Sequence, residues 1–359
     1  MGVYLVKRLL LILPTLFGIM LINFCIIQFA PGGPVEQAIA QMSGFGSFSS
    51  TATVSAAESM GPSVESSYSG GAGLDPEMIE RLEKQFGFDK PAHERFLLMM
   101  RNYLSLDFGF SYFQDRPVID LVLERLPVSV SLGLWSLLLI YSISIPLGVA
   151  KAVKDGLRFD LWTSVVIFVA YAIPSFLFAI ILIVVFAGGS YFDLFPLRSL
   201  TSENFANLSL WGQIKDYFWH LSLPLMSLTI GGFATLTMLT KNSFLEELNK
   251  QFVLTARAKG LTEQRVLYGH IFRNAMLIVI AGFPAAFVGI LFTGALLIEV
   301  IFSLDGIGLL GYEAVLKRDY PILFGTMFSF TLIGLIMQLV GDMTYVFIDP
   351  RIDFETRES

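Results

Sequence analysis

Six stretches of this chain stay apolar long enough to cross a bilayer, which takes about 20 residues of helix. They fall at about 9–30, 128–150, 161–187, 221–240, 275–302 and 322–348. Between them lie three kinds of polar sequence. One is a long segment, 31–127, whose first part is nearly free of large side chains. The second is a set of short basic loops. The third is a polar island of about twenty residues, Phe252 to Phe272, placed between two apolar runs. The pattern predicts an all-α polytopic membrane protein of six transmembrane helices, with both termini on one side.

Composition agrees. The 359 residues are 54% hydrophobic and 15% charged, against about 25% charged in soluble domains. The net charge of −6 argues against nucleic-acid binding. Cys25 is the single cysteine, so no disulfide framework is expected. His93, His220 and His270 are far apart and do not suggest a metal site. Run one follows Lys7 and Arg8 like a signal peptide, but 22 apolar residues exceed an h-region of about 7–15. It reads as a retained anchor, with Asn23 and Gln28 facing the bundle.

Lysine and arginine in short loops set orientation. Lys7, Arg8, Lys151, Lys154, Arg158, Lys241, Lys250, Arg257, Lys259, Arg265, Arg273, Arg351 and Arg357 fall on one side. Only Arg198, Lys215, Lys317 and Arg318 fall in the opposite short loops. The termini and the polar island are therefore expected in the cytoplasm. Within the external segment, about 43–73 is rich in Ser, Gly, Ala and Thr and reads as a flexible linker. Helices are expected from Asp75 to Gly87, from Pro91 to about Leu106 and from about Pro117 to Leu126. Phe108, Phe110, Tyr112 and Phe113 between the last two are expected to pack among themselves and at the membrane interface, with covering the external mouth of the bundle as the alternative. Pro146, Pro174, Pro224 and Pro284 lie in the spans and predict kinks.

The polar island carries the candidate chemistry. Phe252 to Lys259 has high helix propensity and neither Pro nor Gly. At 100° per residue, Phe252, Val253 and Ala256 share one side, with Leu254 and Ala258 nearly opposite. Such a helix suits a protein groove better than a lipid surface. Gly260 stands where a left-handed residue would end it, and Thr262 can cap the next helix with Glu263 in its first turn. A plainer reading is a basic loop that only sets topology.

Thr255-Ala256-Arg257-Ala258-Lys259-Gly260 resembles the cytoplasmic EAA loop of permease subunits in binding-protein-dependent ABC importers, with Thr255 at the family's Glu. Further segments resemble the oligopeptide/dipeptide branch in order and spacing. They are Gly87-Phe88-Asp89-Lys90-Pro91, Glu124-Arg125-Leu126-Pro127-Val128-Ser129, Ile173-Pro174-Ser175-Phe176, His220-Leu221-Ser222-Leu223-Pro224, Asp319-Tyr320-Pro321 and Ile348-Asp349-Pro350-Arg351. Pro31-Gly32-Gly33-Pro34 and the tail Asp349 to Phe354 resemble a branch importing oligopeptides, peptide antibiotics included.

The resemblance implies a type I ABC importer fold. It divides the chain into 1–30 (tail and first span), 31–127 (external segment), 128–348 (five-helix transmembrane domain with coupling loop 244–273) and 349–359 (cytoplasmic tail). It implies a second homologous permease, ABC ATPase subunits, an extracytoplasmic peptide-binding protein, a peptide substrate and membrane lipid as partners. Phe252, Val253, Leu254, Thr255, Ala256, Arg257, Ala258, Lys259 and Gly260 would couple to the ATPase. Phe252 and Val253 would enter its groove, and Arg257 and Lys259 would meet its acidic groups. This chain would bind no cofactor, with ATP and Mg on the partner subunits. No Gly-x-x-x-x-Gly-Lys-Ser/Thr phosphate loop occurs, and no catalytic arrangement emerges.

The main rival is a carrier driven by an ion gradient, which would keep ionisable groups at membrane depth. Glu299 and Asp342 are the carboxylates within the apolar runs, both near run ends, where they are expected to reach water. A receptor with an external ligand-sensing segment is a second rival.

Overall fold

The computed structural model describes residues 2–28, 89–189, 191–290 and 295–348. The linker, the Asp75–Gly87 helix, the Pro31 motif and the tail from 349 lie outside them. Every regular element among the described residues is helical. The chain forms two compact units, one of 1–10, 125–309 and 330–359, the other of 11–124 and 310–329.

Helix α1 spans Gly2–Gln28, α2 Ala92–Leu104 and α3 Val118–Val153. The expected separate helix at Pro117–Leu126 is instead the start of α3, which passes through both Pro127 and Pro146. Proline removes one backbone donor but does not end a helix whose neighbours hold it. At Pro174 the outcome differs. Helices α4 (Arg158–Ala172) and α5 (Ser175–Phe186) meet there at 92°, so the third apolar run is a broken pair and not one straight span. Ile173 is extended, with φ −88° and ψ 117°, the conformation forced on a residue before proline.

Helix α6, Leu210–Leu248, is the axis of the first unit, with Ser209 capping it by accepting from the Gly212 N–H. Helices α4, α5, α9 (Phe272–Ala281) and α11 (Ala295–Phe302) pack on it. Between α6 and α9 lie α7 (Gln251–Ala258), α8 (Glu263–Val266) and a π turn at Leu267–Ile271. Helix α10, Phe283–Gly289, follows α9 directly, and α11 spans Ala295–Phe302. The apolar run at 275–302 thus contains parts of three described helices, α9, α10 and α11. Helices α12 (Ile307–Lys317) and α13 (Tyr320–Ile348) follow. Among the described residues, five helices, or six counting the bent pair as one span, are long and apolar enough to cross a membrane.

In the second unit, Phe108 is buried and meets Tyr103 and Phe328 edge-on or tilted, at 4.9 and 5.5 Å between centroids. It does not pack with Phe110, which is 61% exposed. The strap between α2 and α3 is held instead by a polar node. Buried Asp319 accepts from Ser111 Oγ and the Tyr112 N–H, and Ser111 Oγ accepts from the Gln114 N–H. Gln28 accepts from Arg95 at 2.8 Å.

Small residues allow the close approach of α3 and α6. A Cβ on Gly148 would stand 2.6 Å from Thr240 Cβ and 2.9 Å from the Thr237 carbonyl oxygen, whereas one on Gly231 would meet nothing within 4 Å. Gly148→Val is expected to lower the thermal unfolding temperature of the detergent-solubilised chain, at an overpacking cost of about 1–3 kcal/mol. Gly231→Ala is expected to leave that temperature within about 0.5 kcal/mol equivalent of wild type, the usual range where no special contact is touched.

Candidate functional site

Helix α6 stops at Asn249, and Lys250 turns extended (φ −79°, ψ 151°) to start α7. Glu247 joins three segments here. It is buried at the end of α6, pairs with Lys250, and accepts from Asn274 of α9.

Helix α7 ends as the sequence predicts. Gly260 has φ +77°, its N–H donates to the Arg257 carbonyl at 2.9 Å, and the Leu261 N–H reaches back to the Ala256 carbonyl at 3.3 Å. These two bonds form a Schellman cap, which needs a left-handed residue at Gly260. Thr262 takes the N-cap backbone conformation of α8 but makes no side-chain cap bond. Glu263 is committed elsewhere, since its two oxygens meet Arg257 Nε and an Nη, both at 3.0 Å. Arg257 is thus paired within the chain across the turn.

Burial divides the nine candidate residues. Val253 is 0% exposed and Ala256 is buried, both in a core with Phe244, Val266, Ile271, Ala275 and Met276. Phe252 is half-buried against the same core, and Phe244 meets Phe272 edge-on at 5.8 Å. Val253 therefore fills this chain's own interior and is not the side chain offered outward, contrary to the expectation. The outward residues are Leu254 (56% exposed), Thr255, Arg257, Ala258, Lys259 and Gly260. A π turn inside a helix often marks a functional site, and the one after α8 leaves Tyr268 exposed beside this face. The stretch is a rigidly seated helix with a small, basic outer surface carrying one prominent leucine.

The two carboxylates weighed for ion coupling sit differently. Glu299 does not reach water and is fully buried. Its Oε1 accepts from Ser129 Oγ at 2.6 Å and its Oε2 from the Leu309 N–H at 2.9 Å, while Ser129 Oγ accepts from the Ile307 N–H. A Cβ on Gly306 would stand 2.2 Å from the Glu299 carboxyl carbon, so glycine there lets the loop wrap the carboxylate. Asp342 pairs with Arg8 at 2.9 Å and keeps partial exposure, 18% of its side chain. Glu299 departs from the expectation because Ser129, its buried partner, is remote in the chain. Among the described residues, no group of three or more His, Cys, Asp or Glu side chains is placed to hold a metal ion.

Comparison with known proteins places this arrangement. Residues 144–354 match the family described as "Binding-protein-dependent transport system inner membrane component". The chain is 60% identical to the "Peptidoglycan transport system permease protein YejB" of Agrobacterium fabrum, across the whole of both chains. It is 57% identical to the "Inner membrane ABC transporter permease protein YejB" of Escherichia coli O157:H7, over 99% of this chain and 100% of that protein. The "Oligopeptide transport system permease protein AppB" of Bacillus subtilis is 30% identical over 99% of this chain and 100% of its own length. The chain belongs to the family of binding-protein-dependent transport system inner membrane components, the permease subunits of ABC importers, which are transport components and not enzymes.

Proposed function

We propose that this chain is one permease of an ATP-driven importer of oligopeptides across the cytoplasmic membrane, paired with a second homologous permease. An extracytoplasmic binding protein delivers the peptide, and ATP and Mg2+ act on separate ATPase subunits. The charge bias of the short loops supports a cytoplasmic position for α7 and both termini, where a soluble ATPase can reach them. The observation that carries the reading is the seating of α7. Its Val253–Ala256 face is locked into this chain's core, and its Leu254–Lys259 face is left outward. A helix held this way transmits displacement to α6 and α9 instead of rolling in place.

The peptide class rests on relatives whose names specify oligopeptide and peptidoglycan transport. A cavity of about 440 Å³ is lined by residues of α3, α6, α9 and α10, with Gly231, Gly232 and Gly289 beside Tyr141. It lies in the size range of small-ligand sites, and we place the peptide path there. The ion-driven alternative draws no support from Glu299, whose two oxygens are engaged, or from Asp342, which is ion-paired with Arg8.

A mild-detergent pull-down from native membranes, followed by ATP hydrolysis in liposomes, tests the reading. An ATPase and a second permease should co-purify, and oligopeptides with the binding protein should stimulate hydrolysis. Peptidoglycan-derived peptides run in parallel distinguish the two substrate names. A chain that purifies alone and moves substrate only under an ion gradient overturns the proposal.

Two substitutions read the docking stretch. Gly260→Asp places a side chain at φ +77°, a left-handed strain of about 1–2 kcal/mol. It should leave membrane insertion intact and uncouple transport, and full peptide uptake by this variant contradicts the assignment. Leu254→Asp should weaken ATPase co-purification while changing the chain's own stability by about 0.5 kcal/mol or less. Val253→Asp should instead lower the yield of folded chain, because it buries an unpaired charge.

A further inference from the structure

The short basic loop between α3 and α4 holds an ionic cluster for which a topology signal gives no reason. Lys151 of α3 is fully buried, and Asp160 of α4 and Lys241 of α6 are nearly so. Lys151 Nζ donates to the Asp160 carbonyl, Thr163 Oγ1 and Ser164 Oγ at 2.9, 2.9 and 2.7 Å. An ammonium has three donors, so all three are committed to α4. The same Nζ lies 2.8 Å from Asp160 Oδ1 as an ion pair. The other carboxylate oxygen, Oδ2, accepts from Lys241 Nζ at 2.8 Å and from the Gly156 N–H at 3.2 Å. Lys241 also meets Asp155 of the loop at 2.8 Å. One carboxylate thus joins three helices and the turn between two of them, where Gly156 is left-handed at φ +71°.

Burying such a cluster is costly, and well-packed apolar residues of similar volume are often as stable or more so. What the ions add is register. An apolar contact permits a helix to slide, whereas the Asp160–Lys241 ion pair forms only with Lys241 at one height on α6. The place of the cluster gives that register a use. Lys241 lies two turns before the end of α6, and α7 begins at Gln251. Val149 and Ala152, on either side of Lys151, share the core that holds Val253 and Ala256.

We propose that Lys241 and Asp160 are positioning residues for transport, locking the α3–α4 turn to α6 so that displacement of α7 moves α3, α4 and α6 as one body. This rests on the importer reading above. Neither residue lines the cavity assigned to the peptide path.

Lys241→Met is the discriminating variant. It leaves Lys151 and Asp160 as a balanced pair within the α3–α4 turn, and Asp155, half exposed, returns to water. The full complex carrying Lys241→Met should assemble as wild type does and hydrolyse ATP at the wild-type basal rate. Its stimulation by binding protein plus peptide should fall about tenfold, within the usual range of coupling factors. Lys241→Arg, which keeps the charge, should retain most of the stimulation. A Lys241→Met complex with wild-type stimulation overturns the proposal. So does one that fails to assemble, since the cluster would then be a folding element only. Equal loss in Lys241→Met and Lys241→Arg also overturns it, because charge pairing would not be the cause. The wild-type complex is measured first: if it lacks an ATPase or peptide stimulation, the importer reading itself fails, which is distinct from failure confined to the variants.

Discussion

A backbone group left unpaired in hydrocarbon costs several kcal/mol, and each interruption of the spans answers to that constraint. Pro127, Pro146 and Pro224 remain inside long helices. Pro174 does not, because Ile173 leaves the helical region and the chain turns by 92°. At the end of α7 the freed carbonyls of Ala256 and Arg257 are taken by Leu261 and Gly260. At the α3–α4 turn, the Gly156 N–H goes to Asp160. The end of α7 and the α3–α4 turn with its ionic cluster are both places where a helix stops and its loose groups must be met.

The same local signals explain what could be read from the chain. Periodicity, capping and glycine placement are short-range, so α2, α7 and the left-handed Gly260 were legible. The direction in which α7 faces was not. With small or apolar residues on both sides of the wheel, only the tertiary neighbours Phe244, Ile271 and Ala275 decide that Val253 goes inward. The start of α3 was misplaced because Pro127 looks like a helix breaker in isolation. Glu299 looked water-facing because Ser129, its partner, is remote in sequence. Lys151 and Lys241 were counted as topology charges, because their burial depends on the packing of α4 against α3 and α6. A lysine whose three donors all have acceptors is a property of the packed unit, not of a sequence window.

Family membership then gives these details a common use. On the proposed reading, the docking helix must be held firmly enough to be pushed and the spans loosely enough to move. The core around Phe244 with the ions beside it would serve the first need, and the glycine-walled cavity and the bent α4–α5 pair the second.

Arg8 and Asp342 have a consequence for how the protein folds. The pair ties α1 to α13, two helices far apart along the chain. The first unit takes residues up to 10 and from 330 onward. Its closure therefore depends on contacts of high sequence separation, the kind that slows folding because the loop must be ordered before the contact rewards it.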